Sequence, residues 1–469
     1  MSTYHPYADR FPPNTRMPDH GREPEEILGE LCQMAAEEDG WWENGHCSGT
    51  MYCGDHEHYA FLTDAFGLFA HSNALQRDIC PSATRFEGEI IAMTLDMLHG
   101  EAVTGTTPVG LVTSGGTASI AHAMLAYREQ ARQQRGDGAR TGRLNVIKPE
   151  TGHPAFDKAC HLFDLELRVA PIDPVSTQVD VDAVAGLIDG NTVALIGSAC
   201  NYGYGTIDPI DALSDLAVER GVGLHVDGCL GGFILPWGQE LGYDIPVFDY
   251  RLPGVTSMSA DTHKYGYAFK GSSVVTFRDA ALRNSQYFYL TDWTGGKYCS
   301  PSMDGSRSVG LLASTWAAMV RMGRDGYLRY AERIFATAEA MKAAVRSHPE
   351  LRVIGNPTFC FSFTADEFDI YLVNDRMKLK GWRFNGQQYP NAIHMAVTRP
   401  QTQDGLAEQF AADLAEAVAW AVEHRDEAAE SSAIYGGVAG GMNDEADEFI
   451  RMIMADMMDH QLMVPGGDS

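Results

Sequence analysis

Seven short apolar runs, spaced by amphipathic stretches, constrain this chain more than any other feature. They cover residues 109–113, 144–148, 167–172, 193–198, 223–227, 255–259 and 273–277, with helical patterns over 117–134, 153–163, 181–188 and 210–220 between several of them. In the first of those patterns the apolar positions recur at Ile120, Met124, Tyr127 and Ala131, which is one face of a helix. Strands that alternate with helices predict an α/β fold whose large sheet is mostly parallel and covered on both faces. A length of 469 residues exceeds one simple core. The chain divides into an arm (1–58) that is extended and rich in Pro, Gly and polar residues, a large domain (59–345), and a smaller C-terminal α/β domain (346–469). Helices are expected over 59–75 and 86–98. A long helical pattern over 309–345 should break near Gly323 and Gly326. The small domain reads as strands 351–354, 359–363 and 393–398 with helices 368–380 and 406–424. From Ala433 the chain is Gly-rich and then Met-rich, and Met452, Met454, Met457 and Met458 are read as one helix packing on the body.

The formal net charge of −28 disfavours nucleic acid and anionic lipid as partners. Any anionic ligand needs a local positive site that works against the global field. No apolar run approaches a membrane span, and residues 1–21 carry no signal-peptide core. The nine cysteines form no CxxC pair, so reduced thiols and a cytoplasmic location are expected. His46, Cys47, Cys53, His56 and His58 crowd together but match no standard zinc spacing, so no metal is expected.

Four segments carry chemistry. Thr113-Ser114-Gly115-Gly116-Thr117 joins a strand to a helix; its glycines let backbone N–H groups approach an anion, although such a turn can be merely tight. Asp227 ends an apolar strand, where an α/β sheet places ligand-binding groups; it could hold a proton on a pyridine nitrogen or simply cap a helix. Lys264 ends another strand, within Ser259-Ala260-Asp261-Thr262-His263-Lys264-Tyr265-Gly266, and could form an imine. His153, at a helix start, could stack on an aromatic ring or merely terminate the helix. Together the Gly-rich turn, the strand-end Asp and the strand-end Lys form a constellation for pyridoxal 5′-phosphate, with Lys264 as the Schiff-base lysine.

At these motifs the chain resembles the sphingosine-1-phosphate lyase family, within the fold-type-I pyridoxal phosphate enzymes that include the group II amino-acid decarboxylases. The resemblance also rests on Ser48-Gly49-Thr50-Met51-Tyr52, Phe269-Lys270-Gly271-Ser272, Thr291-Asp292-Trp293-Thr294-Gly295-Gly296 and Gly305-Ser306-Arg307. It implies that Lys264 bears the cofactor, that Asp227 pairs with its ring nitrogen and that His153 stacks on it. Gly116, Thr117 and His263 would hold the cofactor phosphate, with Gly305 and Ser306 reaching in from the partner of a homodimer with shared active sites. Tyr202 would sit near the reacting carbon, and Tyr52 and Lys270 would hold a substrate phosphate. The arm bearing Tyr52 would cross to the partner. The implied reaction is retro-aldol cleavage of a phosphorylated long-chain base to a fatty aldehyde and phosphoethanolamine, a step of sphingolipid metabolism.

Three positions depart from the family pattern. Gln76 stands where a phosphate-binding His is usual, in Asn73-Ala74-Leu75-Gln76. Ala118 replaces the Glu that follows the Gly-rich turn, and Arg399 replaces an apolar residue. An amide gives weaker bonds to phosphate than a cation does. Arg399 is a candidate grip for a substrate carboxylate. Gln76 and Arg399 keep an alternative open: an L-amino-acid decarboxylase or β-hydroxy amino-acid aldolase with the same cofactor. A non-catalytic cofactor-binding scaffold is a third reading, which the full set of cofactor-handling residues disfavours.

Overall fold

The computed structural model describes residues 6–135, 142–432, 436–437, 443–462 and 464. Helix α1 (Pro24–Asp39) lies in the arm, and α2 (His56–Phe69) and α3 (Pro81–Met97) lead into the body. Next come β1 (Val109–Thr113), α4 (Gly116–Arg135), β2 (Asn145–Pro149), α5 (Ala155–Phe163) and β3 (Glu166–Ala170). The alternation continues through α6 (Val181–Leu187), β4 (Thr192–Ser198), α7 (Ile210–Arg220), β5 (Gly223–Gly228), α8 (Leu235–Glu240), β6 (Val255–Ala260), β7 (Ser273–Phe277) and α9 (Ala280–Ser285). A hairpin of β8 (Phe288–Leu290) and β9 (Tyr298–Ser300) precedes the long α10 (Val309–Arg346). The C-terminal part holds β10 (Leu351–Val353), β11 (Cys360–Ala365), α11 (Tyr371–Leu379), β12 (Asn385–Gln387), β13 (Ala392–Ala396), α12 (Leu406–Glu423) and α13 (Asp444–Gln461).

The large sheet has the order β1-β7-β6-β5-β4-β2-β3. Only β7 runs against its neighbours β1 and β6; the remaining pairs are parallel. Successive side chains on a strand point to opposite faces, and here they divide between two cores. Leu111, Val146, Ile196 and Val275 pack with α4 and α5, whereas Val112, Ile147, Leu195 and Val274 pack on the other face with α7 and α10. The sheet is therefore covered on both sides, which is why its strands read as unbroken apolar runs. The second sheet, β10-β11-β13-β12, is antiparallel throughout. Within α10 the helix breaks at Gly323, whose φ of 57° and ψ of 174° lie outside the helical region.

Two expectations are corrected. The arm is not simply extended, because α1 occupies it, although none of that helix's residues is buried. The Met-rich segment is helical, but α13 buries nothing: Met452, Met454, Met457 and Met458 are all more than half exposed. Much of the Gly-rich stretch before it lies outside the described residues.

Candidate active site

The carboxyl ends of β1, β2, β4, β5 and β6 open on one edge of the sheet, where parallel sheets place ligands. At the end of β1 the chain turns through Ser114 and Gly115 into α4. Gly115 has a φ of +151°, and a Cβ on Gly116 would lie 2.7 Å from Asp261 Oδ2 and 2.9 Å from Cys229 Sγ. The turn thus demands both glycines. A cavity of about 550 Å³ lies against it, walled by Gly116, Thr117, His153, His263 and Lys264. Ala118, one of the three departures, is on the same wall.

Lys264 Nζ lies 3.0 Å from Asp261 Oδ2, and His263 Nε2 lies 3.6 Å from the same oxygen. Burial disfavours the Lys264 ammonium, but Asp261, Tyr52 and Cys229 together outweigh it and the net shift is upward. Lys264 must give up a proton before its nitrogen is a nucleophile, and Asp261 is the acceptor in reach. Asp261, to which reading the motifs gave no role, is the carboxylate paired with Lys264. Its signal was its place three residues before Lys264.

His153 accepts the Ala155 N–H on Nδ1 at 3.1 Å, which leaves its proton on Nε2. Burial lowers its pKa, partly opposed by Asp227, so the ring is neutral. Asp227 is buried at the end of β5, and its Oδ1 accepts the Cys229 N–H at 3.0 Å and the Ser259 hydroxyl at 3.2 Å. It caps no helix, since α8 begins only at Leu235. Tyr202 follows β4, with its ring 4.4 Å from that of His394 and 45% of its surface exposed. Desolvation pushes its hydroxyl pKa up to about 12, so Tyr202 is protonated at neutral pH.

A second cavity of about 340 Å³ is walled by Tyr52, Lys270 and again His263. Lys270 Nζ sits 4.5 Å over the Tyr52 ring and donates to the Thr50 carbonyl at 2.9 Å. Burial, and then repulsion from Lys264, pulls the Lys270 pKa down to about 8. Tyr52 packs edge-on against Tyr265 of its own chain, at 5.1 Å.

The remaining site residues lie elsewhere. Gln76, Gly305 and Ser306 are exposed and share one surface patch. Asn73 links them, because its side chain donates to Ser306 Oγ at 3.0 Å and its carbonyl accepts the Gln76 N–H at 3.1 Å. None of the three walls either cavity within the single chain. Arg399 is corrected: it lines neither cavity and is paired with Asp55 at 3.0 Å, the Tyr330 hydroxyl at 3.0 Å and Cys53 Sγ at 2.8 Å, behind the wall of the second cavity to which Cys53 belongs. The His and Cys cluster is likewise dispersed. His46 stacks on Trp382, His56 pairs with Glu43, and His58 bonds the Tyr267 carbonyl.

The first cavity fits pyridoxal phosphate. His263 Nδ1 is buried there without a partner, and the first-turn amides of α4 add donors for an anion. Lys264 supplies the amine, Asp227 a buried carboxylate, and His153 an uncharged ring. The chain matches the pyridoxal-dependent decarboxylase conserved domain over residues 8–363. It is 39% identical to the sphingosine-1-phosphate lyase of Dictyostelium discoideum, over 96% of this chain and 82% of that one. Against the rat sphingosine-1-phosphate lyase 1 it is 38% identical, over 90% and 72%. Among solved structures, the sphingosine-1-phosphate lyase of Burkholderia pseudomallei superposes with a TM-score of 0.87 and 60% identity, covering 89% of this chain and 95% of that one. A glutamate decarboxylase of Lactobacillus brevis shares the fold at a TM-score of 0.74 and 21% identity, over 90% and 98%. The cofactor is pyridoxal phosphate and the chain is a lyase.

Proposed function

The chain belongs to the sphingosine-1-phosphate lyase family of pyridoxal-dependent enzymes, and on that footing we propose that it cleaves a phosphorylated long-chain base to a fatty aldehyde and phosphoethanolamine. The observation that carries this reading is the second cavity. Lys270 and Tyr52 wall it, and His263 joins it to the cavity of Lys264. A cation beside the cofactor pocket of so acidic a protein is the local positive site that a phosphorylated substrate requires.

When bound, pyridoxal phosphate supplies the sink for the electron pair released as the Cα–Cβ bond breaks. The protein's own residues do the rest. Asp227 holds a proton on the ring nitrogen, and the neutral His153 offers a stacking face without adding charge. Gly116, Thr117 and His263 hold the cofactor phosphate. Lys270 and Tyr52 fix the substrate phosphate, so the substrate is held at two points and its orientation selects the bond that breaks. Lys264 and Tyr202 carry the protons taken from the β-hydroxyl and returned to the product. Arg399, whose position motivated a carboxylated substrate, is paired with Asp55; Gln76 and the decarboxylase relatives support that alternative less than the lyase relatives support cleavage.

The working unit is a homodimer in this reading. Gly305, Ser306 and Gln76 stand together on the surface, and this reading has them complete a partner's site. None of the nine cysteines is disulfide-bonded, which supports a reducing, cytoplasmic setting. Among the described residues no helix is long and apolar enough to cross a membrane. The test is to offer the purified holoenzyme one sphingoid base with and without its phosphate. Rapid cleavage of the phosphorylated form alone is expected; equal turnover of the two would remove the role given to the second cavity.

A further inference from the structure

Beneath Asp227 the sheet is polar where apolar packing would be the rule. β5 and β6 pair in parallel with His225 opposite Ser257 and Asp227 opposite Ser259. Side chains two apart on a strand share a face, so these four form a polar square inside the core. His225, Ser257 and Ser259 are wholly buried, and Tyr127 of α4 reaches Ser257. Their polar atoms connect in a row. Tyr127 Oη is 2.6 Å from Ser257 Oγ, which is 2.7 Å from His225 Nδ1. His225 Nε2 is 3.3 Å from Ser259 Oγ, which is 3.2 Å from Asp227 Oδ1.

Counting protons gives the row a direction. A hydroxyl has one proton to donate, and a neutral imidazole has one N–H. An ionised carboxylate only accepts, so Ser259 donates to Asp227. Ser259 must then accept from His225 Nε2–H; the Cys229 thiol, 3.2 Å away, also points its proton at the same oxygen. His225 Nδ1 is left bare and accepts the Ser257 proton, and Ser257 accepts that of Tyr127. Thr256 heads the row: its hydroxyl donates to Tyr127 Oη at 2.7 Å, nearer than the Leu224 carbonyl at 3.1 Å, which leaves the Tyr127 proton for Ser257. Burial drives the His225 pKa down to about 4 against the pull of Asp227, which keeps the ring neutral.

We propose that His225 is a positioning residue for Asp227: its Nε2–H tautomer, acting through Ser259, orders a one-way row of donors that ends on Oδ1 and fixes the orientation of the carboxylate. Oδ1 is then saturated by Ser259 and by the Cys229 N–H, and the second oxygen is left for the cofactor's ring nitrogen. The inference rests on reading Asp227 as the partner of that nitrogen.

Two measurements on the holoenzyme test it. In ¹⁵N NMR of histidine-labelled protein, His225 should show a protonated Nε2 and a bare Nδ1 that do not titrate between about pH 6 and 9. A protonated Nδ1, or a ring that titrates in that range, overturns the proposal even if every variant misfolds. The second measurement pairs His225→Gln, which keeps a donor near Nε2, with His225→Asn and Ser259→Ala, which do not. Cofactor dissociation constants and the ¹⁵N shift of labelled cofactor are the readouts. His225→Gln should stay near the parent, while the other two weaken cofactor binding about tenfold or more, the scale of one hydrogen bond to a charged group, and move the ring nitrogen towards its neutral shift. Equal losses in His225→Gln and His225→Asn would reduce His225 to packing and overturn the proposal. An Asp227→Asn variant separates the two levels. If it leaves the ring nitrogen unchanged, the reading of Asp227 itself fails; if it alone moves that nitrogen, only the role of His225 fails.

Discussion

Lys270 is the residue whose titration reaches into the working pH range. Its pKa is depressed to about 8 by burial and by the Lys264 charge, so it is an ammonium below that pH and loses its charge above it. The grip on a substrate phosphate should therefore be strong below pH 8 and fade as pH rises through it. kcat/KM reports the free enzyme, and for a phosphorylated substrate it should fall along an alkaline limb near that value. A Lys270→Met variant should lose the limb and start roughly 10- to 100-fold lower, as expected for a charge-assisted hydrogen bond of about 1.5–3 kcal/mol. An unchanged limb in the variant would assign the titration to another group. Lys264 differs: burial opposes its charge too, but direct contact with Asp261 at 3.0 Å, with Tyr52 and Cys229 nearby, shifts it upward.

At the scale of elements, the Gly-rich turn is the most exacting part of the site. A Gly116→Ala side chain would press on the Asp261 carboxylate and on Cys229, displacing the partner of Lys264. Retained secondary structure by circular dichroism with cofactor affinity reduced about tenfold or more is expected; unchanged affinity would mean that the turn has room to yield. This turn was legible only in combination with the strand-end Asp227 and Lys264, because a Gly-rich strand-to-helix junction alone can be merely a tight turn. The strands of the large sheet were legible too, since burial on both faces leaves continuous apolar runs, and the break at Gly323 was marked by its glycine. Other elements left no such trace. β8 and β9 are three residues long and mostly exposed, so they have no burial pattern to read. α1 has no buried residue, and its Pro-rich surroundings concealed it. Asp261 was passed over for another reason: the motif was read for its lysine alone, although the carboxylate stands only three residues before it. Arg399 misled because a cation in the small domain says nothing of Asp55, which is far away in sequence and 3.0 Å away in space.

For the molecule as a whole, the single chain leaves apolar surface uncovered. Phe288, Tyr289 and Trp293 of the hairpin and Ile27, Leu28 and Leu31 of α1 are all exposed. Patches of this kind mark association surfaces, and Gly305 and Ser306 follow directly after the hairpin. Sedimentation equilibrium should give twice the chain mass, and a Ser306→Trp variant at the junction should cost cofactor affinity together with dimerisation. A fully active monomer would contradict the shared site. The most direct measurement of the central claim is product analysis after mixing holoenzyme with sphingoid-base phosphate, alongside Lys264→Ala. Long-chain aldehyde and phosphoethanolamine in equal amounts, absent with Lys264→Ala, are predicted. Intact substrate from a holoenzyme that carries its cofactor on Lys264 would contradict the account.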